Sequence, residues 1–313
     1  MKTFIRATEV WVPNCDGSRL EFGTGSYGDM DGFRSLSESM SFAYDEGLPG
    51  KAWAHGQPII LKRFERSYFM RAEAAHEWGL TCGIALPIFA GDFIKAVVVF
   101  LCGDDEQHIG AIEIWHNDNT VGYDMNLHNG YYGSAELFEW RSQVTSFRKG
   151  TGLPGQVWEQ NRPVLLSNLV DANRFLRHEG AVRVGLSKGI GLPFLHDKRR
   201  SYVVTLLSAQ STPIARRFEI WAPDPYDPQC LAFESGDCDV DPNFADAYRE
   251  LGIKRGDGII GKVMIGGVPI VSNVDIPEPS VADLCARQAG LKTVVVLPMI
   301  HDGHLNRIVC WYF

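Results

Sequence analysis

One interval recurs along this chain and limits what it can fold into. Glu9-Val10-Trp11, Glu113-Ile114-Trp115 and Glu219-Ile220-Trp221 place their tryptophans 104 and 106 residues apart. Gly47-Leu48-Pro49-Gly50 returns as Gly152-Leu153-Pro154-Gly155 and then as Gly258-Ile259-Ile260-Gly261, at intervals of 105 and 106. Trp53, Trp158 and Met264 follow those motifs at equal spacing, as do Pro58, Pro163 and Pro269. A third landmark is Gly79-Leu80, Gly185-Leu186 and Gly290-Leu291, each glycine eight residues before Pro87, Pro193 or Pro298. Self-similarity at one period is read before any secondary structure. Here it divides the 313 residues into three homologous units, 1–106, 107–213 and 214–313.

Within unit one, Glu9 to Val12 and the apolar Leu20 and Phe22 alternate as a half-buried strand pair does, around the turn sequence Pro13-Asn14-Cys15-Asp16-Gly17. Ser35 to Tyr44 has a helix-compatible pattern, and Asp45 to Gly50 breaks it as an irregular turn before a short helix carrying Trp53. Pro58 opens a strand at Ile59. Tyr68, Phe69, Ala72, Ala75 and Trp78 keep helical spacing over Glu65 to Trp78, with Gly79 as the stop. Gly83 to Phe89 and Ala96 to Cys102 form a closing hairpin. The class is α+β, an antiparallel sheet with helices packed on it.

The chain is 45% apolar and 22% charged, an ordinary globular balance, with a net charge of -8 and no block of like charges. That balance argues against nucleic acid or an anionic membrane as the main partner. No apolar stretch is long enough for a signal peptide or a membrane helix, which reads as cytoplasmic. Seven cysteines without CxxC pairing read as reduced thiols.

The GLPG turn, the tryptophan after it, the strand proline, the Phe-x-Arg pairs Phe69/Arg71 and Phe175/Arg177, and the Gly-Leu-x-x-x-Ile-x-x-Pro strand together resemble a GAF domain, in three copies. Unit three departs: its turn lacks the proline, Met264 replaces the tryptophan, and Ala282 stands where Arg71 and Arg177 stand. The resemblance implies small-molecule binding between the sheet and the helix-and-loop layer, with no catalysis. The ligand-facing candidates are Phe42, Tyr44, Trp53, Phe69, Arg71, Trp78 and Cys82 in unit one, and Trp158, Phe175 and Arg177 in unit two. The arginines would hold an anionic ligand, or pair with nearby carboxylates or helix ends. The aromatic residues are equally what the core of a small domain requires.

The ligand stays open. No Cys-His pair suits a bilin, Asn168 to Phe175 lacks the order of the cyclic-nucleotide signature, and His55, His76 and His178 are ordinary surface or core histidines before they are haem ligands. His301-Asp302-Gly303-His304 reads as a solvated turn rather than a metal site. The enzymatic branch of the family, free methionine-R-sulfoxide reductase, needs a reactive thiol in the pocket, and Cys82 is the residue to test for it. The joins, Gly103 to Gly110 and Ser208 to Arg217, are too short for the helical lever that links GAF domains to an output. The units are therefore either self-contained beads, which matches the family sheet, or a ring in which each last strand pairs with the next unit's first. Function then reads as a sensory or regulatory protein acting on a signalling partner chain, as a homo-oligomer or alone. The alternatives are an interaction scaffold with filled pockets and a thiol-dependent reductase.

Overall fold

The structure, a computed structural model, describes residues 3–103, 108–171, 175–194, 199–248 and 251–313. The middle of the first join and part of the Asn168–Phe175 stretch lie outside the described residues. Unit one contains β1 (Ile5–Pro13), β2 (Arg19–Ser26), α1 (Asp31–Glu38), β3 (Ser41–Ala43), α2 (Gly47–His55), β4 (Ile59–Leu61), α3 (Ala72–Glu77), β5 (Leu80–Ala90) and β6 (Phe93–Gly103). Unit two repeats the order as β7 (Gly110–Asp118), β8 (Met125–Tyr131), α4 (Glu136–Gln143), β9 (Ser146–Phe147), α5 (Gly152–Gln160), β10 (Val164–Leu166), α6 (His178–Arg183), β11 (Leu186–Phe194) and β12 (Arg200–Ala209). Unit three follows as β13 (Arg217–Pro223), β14 (Cys230–Cys238), α7 (Phe244–Tyr248), β15 (Gly252–Lys254), α8 (Gly258–Gly266), β16 (Ile270–Asn273), α9 (Val281–Gln288), β17 (Thr293–His301) and β18 (His304–Tyr312).

Each unit is one six-stranded antiparallel sheet, β3-β2-β1-β6-β5-β4 in the first and the matching order in the others. First and last strands of the same unit pair: Val10 lies opposite Val98, Ile114 opposite Val204, and Ile220 opposite Val309. The strand-exchanged ring does not form. The strand prolines fall just beyond the short edge strands. Ile59 ends its ladder at Ala85, Val164 at Gly191 and Ile270 at Val296, each two residues before Pro87, Pro193 and Pro298. On that side no ladder bond is lost to the missing N–H.

The first and last glycines of the GLPG-type motif have different jobs. Gly47, Gly152 and Gly258 take φ of 60°, 59° and 57°, the left-handed region that favours glycine. A Cβ on Gly50, Gly155 or Gly261 would lie 2.2, 2.1 or 2.5 Å from the carbonyl oxygen of Ala43, Arg148 or Lys254. The motif therefore forms the first turn of α2, α5 and α8, with Pro49 and Pro154 where no helical N–H partner is required. It is not a separate turn ahead of the helix, as the sequence pattern suggests.

Two helix expectations are corrected. The Ser35–Tyr44 pattern ends at Glu38 and gives way to the short strand β3, which pairs with β2 and adds an edge to the sheet. Of Glu65–Trp78 only Ala72–Glu77 is helical. The segment before it is turned so that Phe64 and Phe69 stack at 3.7 Å and Arg71 points into the unit. Tertiary packing overrides the local pattern here.

Every sheet is buried on both faces. One face meets the unit's own helices over Trp11, Trp115 or Trp221. The other meets the opposite faces of the remaining two sheets in a single shared core, with Val98 and Phe100, Ile114 and Val204, and Val309 and Trp311 among its members. Phe100 of unit one packs on Trp311 of unit three with ring centroids 5.3 Å apart, and Phe4 packs on Tyr131 of unit two at 5.6 Å. The edges join in a cycle: the Asn129 side-chain amide donates to the Ile60 carbonyl (3.0 Å), that of Asn306 to the Asn161 carbonyl (2.8 Å), and the Val271 N–H to the Thr24 hydroxyl (3.0 Å). The units are self-contained in strand pairing but fused in packing. No helix among the described residues is long and apolar enough to cross a membrane.

Because the core is shared, Trp311→Ala is expected to destabilise the whole chain by about 3–5 kcal/mol. Urea unfolding followed by far-UV circular dichroism and by tryptophan fluorescence should give one coincident transition, not three.

Candidate functional site

The space between sheet and helices is where the sequence resemblance puts a ligand. In unit one its centre is Glu9, fully buried on β1 two residues before Trp11 and so on the same face. Its carboxylate accepts from the Trp11 indole (2.9 Å), the Tyr27 hydroxyl (3.0 Å) and both terminal nitrogens of Arg71 (2.5 and 2.8 Å). Arg71 also bonds the Ser37 hydroxyl, and its guanidinium lies over Trp11, Phe33 and Phe69 with its carbon 4.9–5.5 Å from the ring centroids. A charge placed there is paired, hydrogen-bonded and boxed by aromatic faces.

Unit two repeats the arrangement. Glu113 accepts from Trp115, Tyr132, Thr205 and, at both guanidinium nitrogens, Arg177. Arg177 lies against Trp115, Phe138, Phe147 and Phe175. Burial pushes the Glu113 carboxyl upward, but Arg177 and the hydroxyls of Thr205 and Ser142 outweigh it and hold the group below the usual range. The same burial beside Glu113 pushes the Tyr132 hydroxyl far up, so it remains a neutral donor.

The sequence-derived residues separate into groups. Phe42, Phe69, Arg71, Phe175 and Arg177 meet in the two interiors, with Phe42 edge-on to Trp11 at 4.7 Å. Both arginines pair with carboxylates, the second of the two roles open to them from the sequence. Tyr44 is 60% exposed and lies edge-on to the half-buried Trp53. Trp158 is half-buried beneath Lys149, and Trp78 is half-buried at the end of α3. Cys82 faces the shared core of the three sheets, away from the helices. At the matching place in unit two, Lys188 crosses to Asp237 and Asp239 of unit three. Burial lowers that amine and its two carboxylate partners raise it, with a net upward shift. The residues missed by sequence reasoning are the glutamates themselves. The signal was a charged residue recurring two places before each repeat tryptophan, on an inward strand position.

Two openings lie outside these interiors. A groove of about 450 Å³ runs where unit three closes on unit one, lined by Arg6, Arg216 and Lys292 together with Thr3, Thr8, Ser26 and Thr293. Among the described residues lining it, none has an acidic side chain, and the Arg216 Nε is buried without a partner. A second recess of about 540 Å³ sits on the β7–β8 hairpin beside His116 and His128. Burial lowers both histidines, so they are neutral near pH 7. Among the described residues no group of three or more His, Cys, Asp or Glu could hold a metal ion.

Arg71→Ala should cost about 3–5 kcal/mol, because it removes the cation partner of the buried Glu9 carboxyl. A double replacement of Glu9 and Arg71 by leucine and methionine should cost less than the single change. Urea denaturation of the two variants checks both statements.

No family model and no curated protein sequence matches the chain. Among solved structures, it is similar to the A. aeolicus nlh2 GAF domain in an inactive state, at 20% identity over 33% of this chain and 60% of that one, TM-score 0.27. It is also similar to free methionine-R-sulfoxide reductase of Neisseria meningitidis in complex with its substrate, at 11% identity over 31% and 52%, TM-score 0.26. A third is the GAF domain of an Acinetobacter phosphoenolpyruvate-protein phosphotransferase, at 11% identity over 33% and 60%, TM-score 0.25. The chain thus spans little more than half the length of these solved chains. By sheet order, helical layer and threefold repetition, it is three tandem GAF-like α+β units packed into one body.

Proposed function

We propose that this chain is a non-catalytic regulatory binding protein that acts through a partner chain, and that it takes an anionic small molecule in the groove between units three and one. The observation that carries the reading is the pairing of the buried arginines of units one and two with their own carboxylates. Arg71 and Arg177 are each paired with a carboxylate, hydrogen-bonded to a serine and enclosed by aromatic rings, so both charges are already matched, with the Arg177 Nε left without a partner. The groove offers the reverse: three cations, four hydroxyls and a volume in the range of small-ligand sites.

The charge-matched interiors equally favour the second reading, an interaction scaffold that uses its outer surface alone. A reductase is the least supported, because the Cys82 side chain lies in the shared core and burial pushes the Cys102 and Cys310 thiols well above their usual range.

Thermal unfolding with inorganic phosphate, pyrophosphate and citrate separates the first two readings. Ligand binding predicts stabilisation of about 2.7 kcal/mol at a hundredfold excess over Kd, lost in an Arg216→Ala/Lys292→Ala variant. Absence of any shift, or an equal shift in the variant, favours the scaffold.

A further inference from the structure

All three units bury a glutamate at one place, but the third neutralises it differently. The position of Arg71 and Arg177 is Ala282 in unit three, and the next residue, Asp283, brings a second buried carboxylate on α9. The cation comes from another element. Arg217 on β13, two residues before Glu219, is fully buried with its Nη1 3.6 Å from Glu219 Oε1, outside hydrogen-bond reach. Units one and two each set one guanidinium against one carboxylate. Unit three sets one guanidinium against two.

The hydrogen bonding carries the same imbalance. Glu219 Oε2 accepts from the Trp221 indole (2.9 Å) and the Tyr312 hydroxyl (3.1 Å), while Oε1 has no partner. Asp283 Oδ2 accepts from the Ser280 N–H and hydroxyl and from the Ile259 N–H, while Oδ1 has none. Arg217 donates from Nε to Cys238 Sγ and from Nη1 to the Tyr248 hydroxyl, both at 3.3 Å, and its Nη2 has no partner. Among the described residues, the other ionisable groups facing this interior are thiols and phenols: Cys238 on β14, Tyr248 on α7, Cys285 on α9, and Cys310 and Tyr312 on β18. Burial pushes the Tyr248 and Tyr312 phenols and the Cys310 thiol well up, so none of these three offsets the excess charge.

We infer that the interior of unit three is a proton-binding site that takes up one proton from solvent at Glu219, on Oε1, which accepts no hydrogen bond, and that this gives unit three a pH response seated in its buried interior. Protonation removes the uncompensated buried charge and turns an orphan acceptor into a donor. Burial and the Asp283 charge raise the Glu219 carboxyl, against the pull of Arg217, to about 7. Asp283 also holds the start of α8 through Ile259, so loss of the proton places the excess charge between β13 and the α8–α9 layer.

The sign follows from linkage. A carboxyl raised in the folded state binds more protons there than in the unfolded chain, so its contribution to stability is full at acid pH and is lost as pH rises through about 7. This holds whether or not the junction groove binds a ligand.

The test uses the full chain. Carboxyl ¹³C NMR of glutamate-labelled protein should show one resonance titrating near pH 7, absent in Glu219→Gln and moved to acid pH in Asp283→Asn. Between pH 5 and pH 8 the unfolding constant of the wild type should rise at least about tenfold more than that of Glu219→Gln. If every glutamate resonance of the wild type titrates below pH 5.5, the inference is overturned, whether or not the variants fold. Equal pH dependence of wild type and Glu219→Gln overturns it as well.

Discussion

A carboxylate can sit in the interior of a small domain only with something to neutralise it. Each unit of this chain accepts that constraint at the same point, on the first strand, two residues before a buried tryptophan. In units one and two the answer is a guanidinium delivered by the segment before α3 or α6. That choice dictates much of the surroundings: the shortened helix, the serine on α1 or α4 that accepts from a further N–H, and the aromatic box. In unit three the loss of that arginine shifts the cation to the strand and admits Asp283, and the interior becomes protonatable rather than permanently charge-matched.

The second constraint is the burial of both faces of each sheet. Among the described residues no helix links one unit to the next. Here they share side-chain packing instead. Phe100 against Trp311, Phe4 against Tyr131 and Lys188 against Asp237 and Asp239 couple each unit to its neighbours directly.

The repeat and the sheet were legible because they rest on backbone geometry. Glycines needed for a left-handed turn or for a contact with a carbonyl leave marks at fixed positions, as at Gly47 and Gly50. The shared core left a weaker mark. The runs at Ala96–Cys102 and Val294–Ile300 are continuously apolar rather than alternating, the pattern of a strand buried on both faces. The charged pairs were not legible. Glu9 meets Arg71 across 62 positions, and nothing in local spacing identifies partners that far apart. Arg217 was harder still, because it replaces Arg71 from a different element. The expected helix over Glu65–Trp78 failed for the same reason: the demand for a buried cation came from residue 9, not from the segment itself.

The central claim is that the anion-accepting surface lies between units, while the interiors of units one and two are closed by their own charges. Anomalous diffraction from crystals of the full chain soaked in bromide tests it most directly. The account predicts bromide beside Arg6, Arg216 and Lys292, and none between sheet and helices next to Arg71 or Arg177. Bromide bound inside unit one or two, with Arg71 or Arg177 turned away from its glutamate, would contradict it.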